Sequence, residues 1–191
     1  MRPAEGPAAS VLAAAAPAAA VAAAVSAAAL ATAVLFATTP ALAQADPPRL
    51  LNPFSDPFIQ ATAGRPCPEP LGPAYTEAER RVEAHSRAER GTTCWLAGIC
   101  AEPNAYRYDA ANATAAAAAL RREPALAGTT LWLTAQRRFI YIEGCVADAG
   151  QAARAEALVK ALADVDRVIP ALALPGEKPP YALAGAASRP R

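Results

Sequence analysis

The chain has 191 residues, with 18 basic and 17 acidic side chains and a formal net charge of +1. That length suits one modest globular core, and the near-neutral balance excludes a protein recruited to nucleic acid by charge alone. One histidine and four cysteines leave little material for metal or acid–base chemistry, and 19 prolines imply long irregular stretches.

Residues 1–45 differ from everything that follows. Val11 to Thr39 carries no charge and is mostly Ala with scattered Val and Leu, and Pro40-Ala41-Leu42-Ala43-Gln44-Ala45 offers Ala-x-Ala cleavage after Ala43 or Ala45. This is the pattern of a secretory signal peptide, and it places the remainder in the periplasm. A retained membrane anchor is the competing reading, disfavoured because alanine inserts poorly. Cys67, Cys94, Cys100 and Cys145 all lie beyond the cleavage sites. An even count in an oxidising compartment predicts two disulfides, with three connectivities open.

Residues 46–75 carry prolines throughout, from Pro47 and Pro48 to Pro70 and Pro73. They are read as an extended arm without regular structure, tied across the domain by Cys67, Phe54 and Phe58. Residues 76–108 begin with a helix from Thr76 to Arg90. Thr76 and Glu79 make a capping box, Gly91 ends the helix, and Glu83 is expected to pair with Arg87 one turn on. Its apolar face is narrow, which predicts a surface position. The loop that follows, residues 92–108, holds Trp95, Leu96, Ile99, Tyr106 and Tyr108. Cys94 and Cys100 are spaced for a local bridge, not for the redox motif with two intervening residues. The loop is expected to cover the sheet face that displays Trp132, Phe139, Tyr141 and Cys145.

Residues 109–174 carry the strongest periodicity. Asp109 to Leu120 reads as an alanine-rich helix capped by Asp109. Leu131 and Leu133, then Ile140, Ile142, Gly144 and Val146, alternate about a short polar break, the signature of two strands and a tight turn. From Gln151 to Ala163 the spacing of Ala155, Leu158, Val159 and Leu162 is that of a helix face. Val165, Val168, Leu172 and Leu174 then resume an extended pattern, and Pro170 suits an edge strand. Residues 175–191 are expected to be a disordered tail.

The order helix, strand, strand, helix, strand and the residues filling it resemble the BON domain, a small αββαβ module of bacterial envelope proteins. Ile140, Ile142, Gly144 and Val146 occupy the slots of that family's second strand. Ala155, Leu158, Val159, Leu162, Val165 and Val168 match its second helix and third strand, and Asp109, Ala116, Ala119 and Leu120 its first helix. The fold class expected is therefore α+β, a BON-like domain with a disulfide-tied irregular N-terminal extension. At the hairpin tip, Arg137 and Arg138 stand where the family has Gly.

Little in the sequence supports catalysis. His85 is expected to face solvent, with its neighbour Ser86 turned about 100° around the helix. One histidine beside four bridged cysteines gives no metal site and no Ser/His/Asp arrangement, and no phosphate-binding glycine loop is present. Glu143 and Asp148 are read as solvated. The expectation is a non-enzymatic protein without cofactor. What the resemblance implies instead is association with phospholipid or another envelope component. Arg137 and Arg138 beside Phe139 and Tyr141, with Arg121 and Arg122 ending the first helix, suit an anionic phospholipid headgroup. The alternative is a protein-interaction or structural module in which the aromatic sheet face binds an envelope protein or a second copy.

Overall fold

The computed structural model describes residues 47–186. The expected signal peptide and the last residues of the tail lie outside them. The fold is mixed α+β, with elements in the order β1 (Arg49–Leu51), β2 (Phe58–Ala63), β3 (Ala74–Thr76), α1 (Glu77–Gly91), α2 (Thr93–Leu96), α3 (Asp109–Arg122), β4 (Thr130–Gln136), β5 (Phe139–Cys145), α4 (Ala149–Lys160) and β6 (Arg167–Ala173). The main sheet runs β2-β4-β5-β6, antiparallel except for the parallel pair β5 and β6 that α4 connects. A small ribbon pairs β1 with β3.

The core forms where period-2 strands meet period-3.6 helices on one face of the sheet. Leu131, Leu133 and Ala135 of β4 and Ile140 and Ile142 of β5 point to this face and are fully buried. Ala113, Ala116, Ala117 and Leu120 of α3 cover β2 and β4, and Ala155 and Val159 of α4 complete the layer. Alanine at three of those four α3 positions brings the helix backbone close to the sheet, at the cost of apolar area per residue. Gly144 sits opposite Leu131 with φ 142°, and a Cβ there would lie 2.1 Å from the Thr130 carbonyl oxygen. Only glycine fits that approach.

Three sequence expectations about the arm, the tail and α1 need correction. The arm is not irregular: it supplies β2, an edge strand of the main sheet, and the β1–β3 ribbon. Its prolines flank these elements instead of interrupting them, since Phe58 to Ala63 contains none, and Ile59 and Ala61 face the core. Residues 175–186 are not disordered. Leu71 donates to the Ala182 carbonyl, Ala184 to that of Glu69, and the Tyr181 hydroxyl to that of Pro68, so the tail pairs with the arm. Third, Glu83 does not pair with Arg87. Glu83 bonds Arg90, whereas Arg87 reaches back to the arm.

That reach fixes the arm. Arg87 donates two bonds to Asp56, at 3.0 and 2.6 Å, and its guanidinium lies 4.5 Å from the Phe54 ring centre and 4.0 Å from that of Tyr106. Gln136 at the end of β4 donates to the same carboxylate and to the Tyr75 hydroxyl. Asp56 is 4 % exposed. Replacing Asp56 with Ala would strand a guanidinium between two rings without its acceptor, and the expected loss is about 3 kcal/mol of unfolding free energy. Urea unfolding of Asp56→Ala, Arg87→Met and the double variant tests this: the double variant should be more stable than Asp56→Ala alone.

Candidate functional site

The two arginines singled out from the sequence form the tip of the β4–β5 hairpin. Both have positive φ, 53° at Arg137 and 65° at Arg138. A two-residue hairpin turn with both central residues left-handed normally takes Asn and Gly, so two arginines here carry backbone strain of order 1 kcal/mol or more each. The compensating contact comes from Asp109. Its two carboxylate oxygens accept the backbone N–H groups of Arg137 and Arg138, each at 2.7 Å. Asp109 therefore does not cap α3, whose start carries no side-chain cap bond. It anchors the turn instead. Further bonds hold the same corner, as the Arg138 guanidinium and the Asn112 amide both donate to the Asp164 carbonyl, and Asp166 N–H donates to that of Arg138. Asn112 is thus a buried hydrogen-bonding residue.

Around this locked turn the side chains stack. The Arg137 guanidinium lies 4.6 Å from the Phe139 ring centre, Arg167 of β6 lies 5.4 Å from the same ring, and Arg138 lies 5.3 Å from the Tyr108 ring. Arg167 was missed in the sequence because its proximity depends on the parallel register of β6, in which it sits opposite Phe139. Tyr141, half-buried on the outer sheet face, has its hydroxyl pKa raised by burial. Arg121 does not join the group: its guanidinium donates to the carbonyls of Gln60 and Ala61 and clamps β2 at its bulge.

The outer sheet face is largely covered, by the arm and the tail at its Cys145 end and by the Asp56–Arg87 pair at its Gln136 end, where Tyr106 is the part of the 92–108 loop that packs, against Arg87. Cys67 of the arm is bridged to Cys145 of β5, and Tyr181 approaches the same bridge. Trp132 is 7 % exposed. Glu143 is half-buried there, contrary to the solvated position expected, and burial raises its pKa. Asp148 caps α4 through Gln151 N–H. The second bridge, Cys94–Cys100, closes the loop on itself. Both bridges are consistent with an exported protein. Trp95, Leu96 and Ile99 stay in solvent, a correction to the expected packing of this loop. His85 is exposed beside Glu89. Among the described residues, no three His, Cys, Asp or Glu side chains converge on a metal-sized site, and no helix is long and apolar enough to cross a membrane.

No protein-family model, curated protein or solved structure matches the chain.

Burial raises the Asp109 pKa to about 6 against the opposing pull of its two backbone N–H donors. The native state therefore holds this proton more tightly than the unfolded chain. Its contribution to stability is complete below about pH 4 and is lost as pH rises through about 6, with a slope approaching 1.4 kcal/mol per pH unit within the window. Chemical unfolding at several pH values should show this slope in the wild type and a flatter one in Asp109→Asn.

Proposed function

We propose that this is an exported, non-enzymatic, BON-like binding module that associates with anionic phospholipid at the cell envelope through the hairpin tip. The reading draws on the resemblance of residues 109–174 to the BON domain, to which the arm adds a fourth strand. The observation that carries it is the gathering of Arg137, Arg138 and Arg167 at one end of the sheet, around Phe139 and against Tyr108. Arginines stacked on aromatic rings keep donors free for phosphate oxygens while their stems and the rings offer apolar surface, which suits a headgroup layer. The Asp109 anchor presents these groups on a turn that does not have to be ordered on binding. The rival, a partner protein on the aromatic sheet face, is disfavoured by the arm and tail already occupying that face.

Co-sedimentation with anionic and with neutral liposomes, at low and at moderate salt, tests the proposal. Binding should require anionic lipid and weaken with salt. The double substitution Arg137→Asn/Arg138→Gly supplies the residues that the turn geometry prefers, so it removes charge without breaking the hairpin. At about 1 kcal/mol per arginine near the surface, it should lower affinity roughly tenfold or more. Equal binding by this variant, or no binding in any of the four conditions, would overturn the proposal.

A further inference from the structure

The loop between α1 and Tyr108 presents Trp95, Leu96 and Ile99 at 48 %, 72 % and 71 % exposure. Singly such residues need no account, but three from one short loop form an apolar projection. From Gly91 to Ala101 the chain, GTTCWLAGICA, carries no charged side chain. Its hydrogen bonds are turned inward. The N–H groups of Leu96, Ala97, Gly98, Ile99 and Cys100 all bond carbonyls of Thr92, Thr93, Cys94 or Trp95, and the hydroxyls of Thr92 and Thr93 donate back to the Glu89 carbonyl. The end of α2 is a Schellman turn, with Ile99 N–H on the Cys94 carbonyl, Gly98 N–H on that of Trp95, and Gly98 at φ 69°. The Cys94–Cys100 bridge closes the same turn covalently.

We infer that this loop is a membrane-inserting element, with Trp95, Leu96 and Ile99 entering the boundary between headgroups and acyl chains. The inference rests on the lipid reading above and deepens it by adding an apolar anchor to the cationic tip. A lipid surface fits better than a protein partner because the loop carries no charge from Gly91 to Ala101 and its N–H groups from Leu96 to Cys100 are already spent within it. The Trp95 indole N–H is its remaining side-chain donor, and indole suits the interface of a bilayer. The N–H groups from Leu96 to Cys100 are already paired within the loop, which lowers the desolvation cost of leaving water, while the carbonyls from Leu96 to Ile99 suit the hydrated headgroup boundary and not the acyl interior. The loop is also continuous with the hairpin tip. The Tyr108 ring that faces Arg138 accepts, at its hydroxyl, the N–H groups of Ala101 and Glu102 just beyond the bridge. One tyrosine thus couples the cations to the base of the apolar loop.

The test uses the oxidised protein with vesicles of phosphatidylglycerol and phosphatidylcholine, some carrying brominated acyl chains. Tryptophan emission should be quenched on binding and lose that quenching in Trp95→Phe, because Trp132 is buried in the sheet. Leu96→Ser/Ile99→Ser, at exposed positions where folding is little affected, should lower vesicle affinity roughly tenfold or more. Wild-type sedimentation with anionic vesicles, without Trp95 quenching and with unchanged binding of the serine variant, would overturn insertion and leave headgroup binding standing. No sedimentation of the wild type would overturn both. A concentration-dependent dimer abolished by the serine variant, in protein that ignores vesicles, would assign the loop to a second copy of the chain and overturn the inference.

Discussion

The Asp56–Arg87 pair is the contact on which the N-terminal half depends. It joins the arm to α1, and Gln136 joins both to the end of β4. Taking a carboxylate and a guanidinium out of water is costly, and a bare pair would return little. Here the two-pronged geometry, the Gln136 amide and the Phe54 and Tyr106 rings supply what the pair alone lacks. Asn52 completes the set: its side chain bonds both the N–H and the carbonyl of Asp56, bracing a turn in which Asn52 and Ser55 have positive φ. A chain whose helices bury mainly alanine gains modestly from its core, and this corner, with the Cys67–Cys145 bridge across 78 residues, makes the arm part of the domain.

Asp109 plays the corresponding part on the other side of the hairpin. A turn built from Arg137 and Arg138 is unfavourable by backbone conformation and unremarkable by side-chain chemistry. A carboxylate from the first turn of α3 reverses the balance by accepting both strained N–H groups. The price of placing that carboxylate at 2 % exposure is its raised pKa. Asn-Gly would turn the chain here without a buried acid, so the cost of this arrangement is what the proposed headgroup contact of two cations on a fixed support would account for.

Local periodicity made much of the fold legible. The alternation of Leu131 and Leu133 with Ile140 and Ile142, the Thr76–Glu79 capping box and the helix face of Ala155 and Val159 are contacts within short spans, and each is where the pattern put it. What escaped was non-local. Phe58 to Ala63 reads as part of a proline-rich arm until β4 is beside it, and Arg87 reads as a helical partner of Glu83 until Asp56 arrives from 31 residues away. At the candidate site, Arg137, Arg138 and Phe139 were visible as cations beside an aromatic residue. Arg167 and Tyr108 come from distant segments, and Asp109 looked like a cap because the helix it begins hides the turn it holds.

The same non-local contacts decide what the 92–108 loop can do. Its aromatic content suggested a segment that buries itself on the sheet, yet that face was already taken by Cys67 and Tyr181, chain segments with a covalent or hydrogen-bonded claim to it. Excluded from there, the loop divides. Tyr106 turns inward onto Arg87, and Tyr108 inward onto the Arg138 side chain and the backbone beyond Cys100. Trp95, Leu96 and Ile99 are left outside on a turn that its own bridge and hydrogen bonds keep folded. An apolar group on a floppy segment could fold back on itself when water is its neighbour; a covalently closed turn, bonded to Tyr108 at its base, has less freedom to do so. The turn therefore keeps its own shape with three apolar side chains outward, and the free energy they forgo in water is available to whatever surface covers them.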